Sequence, residues 1–264
     1  MIVLLGLTSS GFAASISVNF SPDASVDNQA VDSGETSIVG ITGTEAIDGS
    51  KWNNIKLRAS GAGAPDVFIT TTQGGNHIDL IDSSGGDAGV DLTSSGTLNS
   101  NYANVSSPKQ GLTGDAGLMQ GYLALNDTET ISLTGLSAWA PNGYKVYAAF
   151  DIGGNETHGI SMGDGVTSAL YWTANSSATD SDPDNDGVMT WKQTTATTSG
   201  TAVTDANWAV YGTFTGDTLT ISGTDNGSRS ALSGFQVVAL PVPEPSSAAL
   251  LGLGCLALVI RRRK

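Results

Sequence analysis

Short alternating segments cut by turn residues are the feature that most constrains this chain. "SISVNF" at 15–20 places Ile16, Val18 and Phe20 on one face, and "YKVYAAFDI" at 144–152 does the same with Tyr144, Val146, Ala148 and Phe150. Side chains of a strand alternate between faces, so each such run builds one apolar face and one polar face. "DVFITTT", "SALYWTA", "VMTWKQTT", "WAVYGTF", "DTLTISGT" and "LSGFQVVAL" continue the pattern. "GYLALND" and "ETISLTGL" lie close together and predict a hairpin around Asn126-Asp127. With 34 glycines and only 14% charged residues, the chain is rich in turn formers and poor in helix formers. No amphipathic helix of more than two turns is expected. Ten or more short strands predict an all-β fold: a single β-sandwich, jelly-roll-like, over residues 15–240.

An apolar fraction of 39% in 264 residues is enough for a buried core. Net charge is −14, and four of the eleven basic residues are the terminal Arg261, Arg262, Arg263 and Lys264. The remaining seven stand against 25 acidic residues, or −18. A body this acidic repels nucleic acid and anionic membrane surfaces, and suits either a soluble exported protein or a calcium-binding one. The single cysteine, Cys255, lies outside the body, so no disulfide forms there.

The two ends read as export signals. Ile2 to Leu7 is apolar and is followed by Gly11, Ala13 and Ala14, as in a secretory signal over residues 1–14 cleaved after Ala13 or Ala14. The basic n-region is missing, which points to a start lying further upstream. At the other end, residues 241–264 form a tail: a proline spacer, an uncharged run over 246–260, and a basic end. As a helix that run spans about 22 Å against a hydrocarbon core of about 30 Å, a marginal permanent anchor. Arg261 to Lys264 would stay on the cytoplasmic side. A segment that holds only briefly fits a signal that is later removed.

Val242, Pro243, Glu244 and Pro245, then the apolar run, then Arg261, Arg262, Arg263 and Lys264, resemble the PEP-CTERM sorting signal, whose tail is also catalogued as an ice-binding protein C-terminal domain. The resemblance implies an exosortase as partner, a transient stay in the inner membrane, and release to the cell surface or extracellular matrix of a Gram-negative bacterium making extracellular polysaccharide. "SISVNF", "WNNI", "GLMQGYL", "NGYKVYAAFD" and "LSGFQVV" further resemble bodies found with this tail, which supports one sandwich domain. The ice-binding label belongs to the tail. "TTATTSGT" at 194–201 is Thr-rich but not periodic with anything else, and no ice-binding array is inferred from it.

Candidate chemistry in the body is sparse. Asp180, Asp182, Asp184 and Asp186 alternate in "TDSDPDNDG", and alternate carboxylates in a turn can surround Ca²⁺. Where a helix-loop-helix calcium loop carries its bidentate Glu this chain has Gln193, which excludes that form of the site. A looser calcium site and a solvated acidic loop both remain open, and no other cofactor is expected. "GISMG" around Ser161 matches a nucleophile elbow, but His77 and His158 both precede it and no helix is predicted after it. Five tryptophans offer sugar-stacking surfaces. Trp139, beside Ala140-Pro141, is the candidate for exposure, while Trp172, Trp191 and Trp208 sit in strand patterns and fit a core. The expectation is a non-enzymatic, structural or adhesive protein of a polysaccharide-rich envelope or biofilm. The alternatives are a carbohydrate-binding module and a secreted glycoside hydrolase using a carboxylate pair.

Overall fold

A computed structural model describes residues 13–21, 52–58, 67–69, 77–95, 99–102, 118–119, 121–125, 127–150, 157–174, 191–225 and 230–241. Among these, sixteen strands, β1 to β16 in chain order, form three sheets. The first has six strands in the order β13 (Trp208–Phe214), β9 (Tyr144–Ala149), β16 (Gly234–Ala239), β1 (Ser15–Ser21), β2 (Trp52–Arg58) and β3 (Val67–Ile69). The second has seven: β12 (Val203–Thr204), β11 (Ser168–Ala174), β10 (Thr157–Gly163), β14 (Thr218–Asp225), β8 (Thr130–Thr134), β5 (Asp87–Ser95) and β4 (His77–Ile81). The third joins β15 (Ser230–Leu232), β7 (Gly121–Leu125) and β6 (Asn99–Tyr102). The expected all-β class holds.

One apolar core is shared by the two large sheets. Ile16, Val18 and Phe20 of β1, Val146 and Ala148 of β9, and Phe235 and Val237 of β16 meet Val90 and Leu92 of β5, Ile131 and Leu133 of β8, and Leu219 and Ile221 of β14. Each contributor is the apolar half of an alternating strand, so the alternation decides which side chains turn inward. Phe20 and Phe235 stack across neighbouring strands with ring centroids 6.1 Å apart. Buried Tyr211 donates its hydroxyl to the Ile160 carbonyl at 2.8 Å, tying β13 of one sheet to β10 of the other.

Two local expectations need correction. The β7–β8 hairpin does not form: β7 pairs with β15 and β6, whereas β8 pairs with β14 and β5. Leu123 and Leu125 enter the core from the third sheet while Ile131 and Leu133 enter it from the second. A corner therefore joins the two runs where a tight turn was expected. Gly223 of β14 makes room for it, because a Cβ there would collide with the Leu125 carbonyl. "VMTWKQTT" does not form a strand over its described part, where Gln193 makes a single bridge to Trp208. Asp82 to Gly86 makes the turn from β4 into β5, which starts at Asp87. Two pairs, β1 with β2 and β11 with β12, run parallel, a departure from an all-antiparallel jelly roll.

The two ends of the body leave side by side. Ser15 of β1 is paired with Val238 of β16, and the Ala239 N–H donates to the Ala14 carbonyl at 2.9 Å. Beyond β16 the Leu240 N–H donates to the Gly143 carbonyl at 2.8 Å, and Asn142 Nδ2 donates to the Pro241 carbonyl at 3.3 Å. Gly143 holds this turn at a φ of 93°, and a Cβ there would lie 2.6 Å from the Phe214 carbonyl oxygen, so glycine is required.

Candidate functional site

Where a polar face is expected outside the six-stranded sheet, a second apolar layer forms. Trp52, Leu118, Met119, Tyr147 and Ala149 are buried there, with Trp191, Trp208, Val210 and Val238 packed against them. The register arranges this face in rows. Val210, Tyr147, Gln236, Ser17 and Trp52 follow one another across β13, β9, β16, β1 and β2. In the next row stand Trp208, Ala149, Gly234 and Asn19. Ala149 and Gly234 are small, so this second row is a depression between Trp208 and Asn19. Leu118 lies over it: a Cβ on Gly234 would come within 2.7 Å of Leu118 Cδ1 and 2.5 Å of the Val18 carbonyl oxygen.

Polar groups lie within this layer. Gln236 is fully buried and its Nε2 donates to Ser17 Oγ at 2.8 Å, but its Oε1 has no hydrogen-bond partner. The indole N–H groups of Trp52 and Trp208 also have none. Buried amides and indoles normally find partners.

On the opposite outer face, that of the seven-stranded sheet, small hydroxyls cover β5, β8, β14 and β10, and Leu170 and Trp172 of β11 stand beside them. Thr93, Ser132 and Thr220 form one row over β5, β8 and β14, and Ser95, Thr130, Ser222 and Ser161 form the next, reaching β10. Thr220 is exposed, and the others are exposed or half-buried. Ser95 and Thr130 share a hydroxyl–hydroxyl bond. Ser161 therefore lies mid-strand, paired with Ser222 and Leu170, in no elbow, as the sequence reading expected.

Asp164, at the end of β10, ties this sheet to the other. One carboxylate oxygen accepts the Val166 and Thr167 N–H groups at 2.9 and 2.7 Å, and the other accepts those of Thr215 and Gly216, both at 2.8 Å. Thr215 and Gly216 lie between β13 and β14. Burial opposes the charge, but the backbone donors of Thr167, Gly216, Thr215 and Val166 outweigh it and hold the carboxyl well below the usual carboxylate range. Asp217 accepts from the Ser137 hydroxyl and N–H, chiefly the hydroxyl, and is likewise lowered. Both carboxylates are structural pins.

The remaining candidate residues fall as follows. Trp139 ends a single-turn helix, Leu136–Trp139, and is half-buried against the main core. Trp172 is buried opposite Gly159 on the outer face of the seven-stranded sheet, outside the main core, while Trp191 and Trp208 belong to the layer outside the six-stranded sheet, so none of the three sits in the main core. Sequence reasoning missed that layer, although Trp52 opposite the polar half of an alternating pattern was its visible trace. Asp180, Asp182, Asp184 and Asp186 lie outside the described residues, as do Val242, Pro243, Glu244, Pro245 and Arg261 to Lys264. Among the described residues, no group of three or more metal-ligating side chains gathers, and no helix is long and apolar enough to cross a membrane.

The all-β body ends with β16, and a proline-rich, apolar, basic-ended stretch of sequence follows it. Residues 241–264 match the PEP-CTERM protein-sorting motif, so the chain carries that motif in its tail. The motif marks an exosortase-sorted extracellular protein with a membrane-associated sorting step. No curated protein and no solved structure matches the chain.

Proposed function

We propose that the sandwich is a non-catalytic structural or adhesive component of the cell surface or extracellular matrix. The exosortase acts on the tail while the 246–260 run holds the inner membrane, and the body is then delivered into a polysaccharide-rich envelope or biofilm. The observation that carries this reading is the placement of the tail. The sorting motif begins at Pro241, directly after β16, which sits between β9 and β1 in the interior of its sheet. Processing beyond Pro241 would leave every described strand intact, so the released product is the folded body itself.

Intact mass in the native host, measured separately on envelope and medium fractions, tests the route. The expected species begins near Ser15 and ends close to the Pro243-Glu244-Pro245 tripeptide, in the outer fraction. A full-length C-terminus in the inner membrane would reduce the tail to a plain anchor and remove the matrix role. Deletion of the gene tests that role further. Loss of matrix cohesion is expected, and unchanged cohesion would sink the structural reading while leaving the sorting route standing.

A further inference from the structure

The outer layer on the six-stranded sheet joins three properties: a depression, aromatic walls, and buried neutral hydrogen-bonding groups with nothing to bond. Trp208 and Tyr147 stand beside the depression over Ala149 and Gly234, and Trp52 closes the neighbouring row. Gln236 Oε1 offers an acceptor, and the Trp52 and Trp208 indoles offer donors. A purely structural layer would do better with an apolar residue at 236, because a buried amide oxygen without a partner costs stability that packing does not return.

We propose that this face is a binding site for a neutral glycan chain, and that Leu118 and Met119 are the cover such a chain displaces. Sugars present apolar C–H faces that stack on indole rings, and hydroxyls that both donate and accept. Here the rings and the neutral donors and acceptors share two adjacent rows, and no described side chain in those rows is charged. The charge of −18 that the chain carries without its four terminal basic residues disfavours a polyanion at the same place. Leu118 now occupies the depression, with Met119 in the same buried cluster, so apparent affinity is the intrinsic affinity reduced by the fraction of molecules in which the cover is open. The site goes beyond the envelope role proposed above and stands on different observations, so either can fail without the other.

Calorimetric titration with intrinsic tryptophan fluorescence tests it, using the full chain in detergent. The probes are cellohexaose, xylohexaose and mannohexaose, with an oligoalginate as the anionic counterpart. At least one neutral hexasaccharide is expected to bind and shift tryptophan emission. Trp208→Ala should weaken that binding by about tenfold, the loss of one stacked ring. Leu118→Ala should strengthen it several-fold by loosening the cover. Gln236→Met combined with Ser17→Ala removes both partners of one hydrogen bond together with the unpartnered oxygen. This double variant should fold with unchanged or higher thermal stability and lose about tenfold in affinity. The proposal is overturned if neither the native chain nor Leu118→Ala binds a neutral hexasaccharide, if oligoalginate alone binds, or if the stable double variant binds as well as the native chain. In the first and third cases the face is a second packing layer, and in the second the chain binds polyanions and not neutral glycans.

Discussion

The outer face of the six-stranded sheet carries Trp52, Tyr147, Trp208 and a buried Gln236 beneath Leu118 and Met119, whereas that of the seven-stranded sheet carries Thr93, Ser132, Thr220 and Ser222 in open rows. Both faces rest on the same inner core and follow the same alternation. They differ in what the outward half of each strand contains. Small hydroxyls need no cover, because water satisfies them. Indoles and a β-sheet depression attract further chain, and once covered, any polar group left beneath must find a partner or cost stability. A sandwich can therefore have one finished face and one that is occupied by its own chain.

The two faces are joined by Asp164, and the largest expected effect lies there. Asp164→Ala strands four backbone N–H groups and should cost about 3–4 kcal/mol of folding stability, read from urea unfolding. A loss under about 1 kcal/mol would show that the sheets are held together by their core alone. The same group sets an acid limit. Its folded pKa is depressed, so the stability it contributes is fully present above the ordinary carboxylate range near pH 4 and is lost as pH falls through its lower folded value. Urea midpoints of the native chain should fall steeply from pH 4 to pH 2, and Asp164→Asn should flatten that fall. An unchanged slope in the variant would assign acid sensitivity to other carboxylates.

Gly234→Ala sharpens the comparison on the covered face. Its Cβ would meet the Val18 carbonyl and Leu118, so a loss of about 2–3 kcal/mol is expected, together with disturbed packing of the cover. Wild-type stability in this variant would mean that Leu118 does not sit tightly over the sheet. The smallest effect is expected on the open face. Thr220→Ala should stay within about 0.5 kcal/mol, since an exposed hydroxyl with no critical partner is removed. A larger loss would show that the hydroxyl rows are themselves a cooperative element.

Much of the fold was legible in the chain because alternation writes the inner face directly. Ile16, Val18 and Phe20, or Leu219 and Ile221, can be assigned to the core without a structure, and β1, β9, β13, β14 and β16 follow from such runs. The hairpin at Asn126-Asp127 was misread because proximity in sequence says nothing about which sheet each run joins. Gly223, in a strand nearly a hundred residues away, only permits the close approach of Leu125. The strands β4 and β5 around "DSSGGD" and β10 around "GISMG" were hidden by glycines and serines that suit a turn as well as an outward strand position. The candidate glycan face was illegible for a related reason. Its rows take one residue from each of several strands, and only register brings Trp208, Gln236 and Trp52 onto adjacent rows.

By itself the sequence determined that the chain carries a sorting motif and what kind of fold its body takes. The motif is a contiguous string, and strand alternation is a local property of period two. The tertiary structure alone decided how the strands are partnered, that Asp164 pins one sheet to the other, and that one outer face is buried beneath the chain's own residues. Those features are sums of contacts between distant segments, and a contact between distant segments has no signature in either segment alone.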